Sequence, residues 1–261
     1  MVPVAQLRRR FGRVPPGARN ALPGPLEDAY AGLLWTHQNA RELQVDPDRI
    51  GIGGGSAGAG LAAGLALLTR DRGQVPLLFQ LLLYPMIDDT MTSESSSWEV
   101  PIWPPASNRA GWQAYLGDRF GGDVPIYAAA ARAKDLTGLP QATVVVGTLD
   151  GFLDEDVDYA LRLNHAGVPT ELHVYPGAPH GFDALLPGTT IARRARADME
   201  DWLARRSCSP AREYVSRRRI PAFLAPTPAP RATIAARRRR GAVLAARLAG
   251  GREVPRFKSR R

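Results

Sequence analysis

The chain has 261 residues, 44% of them hydrophobic, enough to bury the core of one large α/β domain. Its formal charge of +9 is lopsided: residues 205–261 carry 17 Lys and Arg against Glu213 and Glu253, a net of +15 that leaves −6 on residues 1–204, so the high pI does not mark the domain as a nucleic-acid binder. A single cysteine, Cys208, excludes a disulfide framework and a Cys-based zinc site, and with neither a signal-peptide core nor a run of ~18 apolar residues the expectation is a cytoplasmic protein without a membrane span.

Residues 1–25 are rich in Arg, Pro and Gly without a period and are read as a disordered lead-in. Leu26, Tyr30, Leu33 and Leu34 then fall on one stripe and predict a helix over 26–40. Asp46-Pro47-Asp48 turns the chain into a short strand at Ile50, and beyond Ser56 the spacing of Leu61, Leu65 and Leu68 predicts a helix ending near Gly73. Leu77 to Tyr84 is apolar on both faces, as a strand between two helical layers must be. Pro85 to Lys134 has no sustained period, but Trp98, Trp103, Trp112, Tyr115 and Tyr127 favour a folded insertion, serving either ordinary packing or a share of a substrate wall. A strand at Thr143–Val146, a helix with Leu153, Val157 and Leu161 on its inner stripe, a strand at Glu171–Tyr175 and a helix carrying Ile191, Ala195, Met199, Trp202 and Leu203 complete a domain over 26–204. Strands alternating with helices imply a mostly parallel α/β sheet flanked by helices. The tail, 205–261, is expected to be a disordered basic extension, with only 242–248 able to turn briefly helical.

The chemistry gathers at the ends of three of these strands. Gly54-Gly55-Ser56-Ala57-Gly58 fits G-x-S-x-G, whose glycines allow a serine to sit on a tight strand-to-helix turn. A glycine-rich turn of this kind also serves as a phosphate cradle, so the pentapeptide by itself leaves both readings open. Asp150 follows the strand at Thr143, and His180 follows the strand at Glu171. In an open α/β sheet active groups collect at the carboxyl ends of strands, and Ser, Asp, His is a working order for a nucleophile, an orienting acid and a base. A neutral hydroxyl is a weak nucleophile, so His180 would take its proton while Asp150 fixes the tautomer. The backbone N–H of Ala57 is the candidate oxyanion donor. Asp154 is the rival acid and reads as a helix N-cap. His37, His165 and His173 read as surface or packing residues, and Asp154, Glu155, Asp156 and Asp158 as solvated acids favoured by a helix dipole rather than a metal site.

Several blocks together resemble the hormone-sensitive-lipase-like esterases of the α/β-hydrolase superfamily. They are Val45-Asp46-Pro47-Asp48-Arg49-Ile50 before the serine turn, Leu149-Asp150 before Leu153-Asp154-Glu155, Tyr175-Pro176-Gly177 before His180-Gly181-Phe182, and Leu22-Pro23 before Leu26-Glu27-Asp28-Ala29-Tyr30. The resemblance covers about residues 20–204. It implies a partial α/β-hydrolase fold and a serine-dependent carboxylic ester hydrolase with Ser56, Asp150 and His180 as its triad. A small-molecule ester is the implied partner, with no cofactor, no metal and no specific nucleic acid. The chain departs from the family in two ways. Gly55 stands where an acid commonly precedes the serine, and no H-G-G-G motif, source of most of the family's oxyanion hole, precedes Ser56. Loss of one oxyanion donor typically costs ~10²–10³ in rate, so slow turnover, or an inert N-terminally truncated fragment with a tail that sticks to anions, is the alternative expectation. A four-stranded sheet with the Ile50 strand at its edge is also expected, because the strands that normally precede it are absent.

Overall fold

The computed structural model describes residues 21–208 and 242–246. Helix α1 spans Gly24–Gln38, and strand β1, Ile50–Gly55, leads through Ser56 into α2, Ala57–Arg72. Strand β2 is Phe79–Leu83; α3, Pro105–Leu116, lies in the long segment before β3, Gln141–Leu149. Helix α4 (Leu153–His165), β4 (Thr170–Pro179), the single-turn α5 (Phe182–Leu185) and α6 (Thr190–Cys208) follow, and β5 is Ala242–Ala246. All strand pairs are parallel, in the order β4-β3-β2-β1-β5.

Side chains on alternate faces of the central strands feed two cores. Ile50, Ile52, Leu82 and Val144 pack with Leu26, Tyr30 and Leu33 of α1, most of α2, and Tyr159 and Leu163 of α4. Val145 faces the other way, toward Tyr175, Phe182, Ala192 and Ala195. On α6, Trp202 is fully buried and sets its ring edge-on to Phe79, with centroids 5.3 Å apart. Burial on both faces accounts for the mostly apolar runs of β2 and β3, in which Gln80 and Thr143 are buried polar exceptions. The expected stripes of α1 and α6 are those that pack inward, whereas α2 is buried all round from Gly58 to Thr69.

Helix α4 differs from its expected facing. Leu161 is half exposed, and the buried stripe consists of Glu155, Asp156, Tyr159, Ala160 and Leu163. The apolar spacing of Leu153, Val157 and Leu161 is real, but the adjacent stripe carries the larger Tyr159 and the helix turns that side to the sheet. Glu155 and Asp156 are therefore buried rather than solvated.

Among the described residues the sheet has five strands instead of the expected four, and β1 is not an edge. Strand β5 pairs with it in register from Ile50 with Ala242 to Gly54 with Ala246. Segment 242–248, read from sequence as briefly helical, is thus strand at 242–246. An open edge of unpaired N–H and C=O groups recruits a compatible strand, and Ala242-Val243-Leu244-Ala245-Ala246 is an uncharged run within an Arg-rich tail. The rest of the expected disordered segments, 1–20, 209–241 and 247–261, lies outside the described residues.

The insertion after β2 is folded, as its aromatics predict. Trp112 of α3 is buried with Met86, Leu116, Val124 and Phe152. Arg132 donates twice to the buried Asp89 carboxylate, at 2.6 and 2.9 Å. Arg162 of α4 caps the carbonyls of Ala131, at 2.8 Å, and Ala133. Close approach to α2 depends on Gly64, where a Cβ would lie 1.9 Å from the Tyr127 carbonyl oxygen. These ties set the insertion against the carboxyl ends of the strands. Among the described residues no helix is long and apolar enough to cross a membrane.

Candidate active site

Ser56 occupies the turn between β1 and α2 with φ 58° and ψ −128°, a conformation in which few non-glycine residues are found. The turn closes because Gly54 lacks a side chain: a Cβ there would lie 2.3 Å from the Gly58 carbonyl oxygen. The Ser56 N–H donates to the Leu83 carbonyl at 2.9 Å, and its own carbonyl accepts from Met86 at 3.3 Å. The end of β2 thus brackets the serine backbone and helps to hold its strained geometry.

Asp150 directly follows β3 and is almost wholly buried. Its Oδ1 accepts from the Phe152 N–H at 3.1 Å, and its Oδ2 lies 2.9 Å from His180 Nδ1. His180 directly follows β4; its Nε2 is 2.9 Å from Ser56 Oγ. Three residues separated by up to 124 positions therefore form one line, hydroxyl to imidazole to carboxylate. Around the imidazole stand Tyr84, edge-on with centroids 4.8 Å away, Phe152, edge-on at 5.1 Å, and Trp103, nearly parallel at 6.2 Å. These aromatics screen the line from water, which strengthens its electrostatics. Ala57 opens α2, so its N–H has no intrahelical acceptor and lies next to Ser56.

The rival acid has another task. Asp154 Oδ2 accepts from the Ser95 N–H at 2.8 Å, and the Asp154 N–H donates to Ser95 Oγ at 3.0 Å. It is not the N-cap of α4, a position held by Phe152, but a clasp between that helix and the insertion. Next to it, Glu155 Oε1 accepts from the N–H groups of Ile87 at 3.0 Å and Asp88 at 3.2 Å, while neither carboxylate oxygen of Asp156 has a hydrogen-bond partner among the described residues. Burial pushes both carboxyls well above the usual range, and for Asp156 the charges of Glu155 and Asp150 push the same way. Of the other histidines, His173 stacks on Tyr175 and lies 3.6 Å from Glu171, His37 is half-buried on α1, and His165 is exposed at the end of α4. Among the described residues no three His, Cys, Asp or Glu side chains are grouped to hold a metal ion.

Tyr84 and Phe152 have no site role in the sequence reading, and Glu155 stands there as one of four solvated acids. Tyr84 had a usable signal, since it follows β2 just as the three site residues follow their strands. Glu155 had none, because four acids among five positions look like a solvated helix start.

Residues 15–184 match the family model for the alpha/beta hydrolase fold. The chain belongs to that family, and its relatives place it among the hormone-sensitive-lipase-like members. It is 34% identical over 162 residues to the esterase LipI of Mycobacterium tuberculosis, covering 61% of this chain and 51% of that protein. With the carboxylesterase NlhH of the same species it shares 37% identity over 169 residues, again 61% and 51% of the two chains. Among solved structures, a bacterial heroin esterase superposes with a TM-score of 0.70 at 43% identity, over 72% of this chain and 61% of its own. The chain therefore spans about half the length of these curated relatives.

Proposed function

We propose that this chain is a carboxylic ester hydrolase that works through an acyl-enzyme on Ser56. The observation that carries the reading is the pair of 2.9 Å contacts joining Ser56 Oγ to His180 Nε2 and His180 Nδ1 to Asp150 Oδ2. Its relatives bear the names esterase and carboxylesterase, which suggests small-molecule esters as substrates.

In this reading Ser56 donates its hydroxyl proton to His180 Nε2 as Oγ bonds to the ester carbonyl carbon. The negative charge that develops on the carbonyl oxygen accepts from the Ala57 N–H, and Asp150 steadies the imidazolium through Nδ1. The carbon–oxygen bond to the alcohol then breaks, and His180 returns its proton to the leaving oxygen. Water, activated by the same imidazole, attacks the acyl carbon, and the acid departs with Ser56 restored. Neither half-reaction requires a cofactor.

The test is hydrolysis of short p-nitrophenyl acyl esters by the full chain and by Ser56→Ala. The expected result is turnover that falls to the uncatalysed background in the variant. Turnover that survives Ser56→Ala would overturn the reading.

A further inference from the structure

Tyr84 has contacts that the proposed chemistry leaves unused. It lies one residue past β2 with φ 38°, a left-handed conformation that is an outlier for an aromatic residue. Its N–H donates to the Val145 carbonyl at 2.6 Å, and its side chain is buried, so the surroundings over-determine the strained backbone. From this position the ring reaches three parts of the site. Its edge meets the His180 imidazole at 4.8 Å and 68°, and it also meets Phe182 at 6.4 Å. A Cβ on Gly55, the residue before Ser56, would lie 3.4 Å from the phenol oxygen. The phenol O–H donates to Asp183 Oδ1 at 2.7 Å.

Asp183 is the second residue of α5, the single turn entered directly after His180 and Gly181. A four-residue helix has little stability of its own. The Asp183 carboxylate, three residues beyond the imidazole, is engaged by the phenol in a charge-assisted bond, which is stronger than a neutral one. Meanwhile the residue before Tyr84 and the one two positions after it hold the Ser56 backbone: Leu83 accepts from its N–H and Met86 donates to its carbonyl. One short segment thus fixes the nucleophile through its backbone and the base loop through the Tyr84 side chain.

We infer that Tyr84, acting with Asp183, is a positioning residue that keeps the His180 imidazole between Ser56 and Asp150. The inference rests on the esterase reading of the site. Productive proton transfer requires heavy-atom separations of about 2.6–3.2 Å, so a small drift of the loop is costly in rate and nearly neutral for substrate binding.

The test uses the full chain with Tyr84→Phe, which keeps the ring and removes the phenol bond. A fall in kcat of about tenfold with KM within about twofold is expected. Asp183→Ala should match it, the double variant should be no worse than either single one, and Asp183→Asn should recover most of the loss because its amide oxygen accepts the same bond. A second readout does not depend on turnover. The His180 Nδ1 proton should give a low-field NMR resonance, identified by its loss in His180→Gln, that broadens in Tyr84→Phe. An unchanged kcat, or an unchanged resonance where turnover is too slow to measure, would overturn the positioning role. Additive losses in the double variant would also overturn it. Persistence of wild-type turnover in Ser56→Ala would instead defeat the esterase reading, so the two failures are distinguishable.

Discussion

Asp150 uses its two oxygens for different purposes: Oδ1 holds the Phe152 N–H at the start of α4, and Oδ2 faces the imidazole. Asp150→Asn keeps the shape and at least one acceptor, so the fold should survive while the imidazole loses its anionic partner. An amide at this position favours the wrong tautomer, and kcat should fall by about 10³–10⁴ with little change in KM, measurable by steady-state kinetics against unchanged thermal unfolding. The placement of Asp150 beside His180 was legible in the sequence because Asp150 follows a strand and precedes a helix. The role of Asp154 was not. Its partner, Ser95, is 59 positions away in the aperiodic insertion, and no local pattern announces such a pairing.

Helix α4 shows what an element can hide. Its acids at the first turn suit the helix dipole whether they face water or core, so composition alone cannot orient them. The orientation comes from the sheet, which takes the side bearing Tyr159 and Leu163 and draws Glu155 and Asp156 in with it. Glu155 is compensated by the Ile87 and Asp88 N–H groups, whereas Asp156 lacks a hydrogen-bond partner among the described residues. The Asp156 carboxyl is held well above its ordinary value of 3.8 by burial and then by Glu155 and Asp150. The folded chain therefore keeps a proton that the unfolded chain releases, and stability is lost as pH rises from the ordinary carboxylate range through the raised value. Asp156→Asn removes that titration without changing shape. Its unfolding temperature should exceed the wild type's at about pH 8, and the advantage should shrink toward zero near about pH 4. An advantage that does not vary with pH would contradict this account of the helix.

For the whole molecule, the alternation of strand and helix was readable because β2 and β3 are mostly apolar on both faces and α1 and α6 each keep a clear stripe. The fifth strand was not readable. An alanine-rich run has high helix propensity in isolation, and its pairing reflects the free edge of β1 rather than its own sequence. A chain ending at residue 241 lacks β5 and leaves that edge open. It should unfold at a lower temperature and self-associate in size-exclusion chromatography with light scattering, as exposed edges do. A monomeric species with unchanged unfolding would show that the fifth strand contributes nothing to the sheet.

In the proposed reaction Ser56 is a nucleophile activated by His180. The most direct measurement is peptide mass spectrometry of the full chain after reaction with a fluorophosphonate. The predicted result is one adduct, mapped to Ser56, absent from Ser56→Ala and formed far more slowly in His180→Gln. A folded chain that takes no adduct, or takes it on another residue, would contradict the claim.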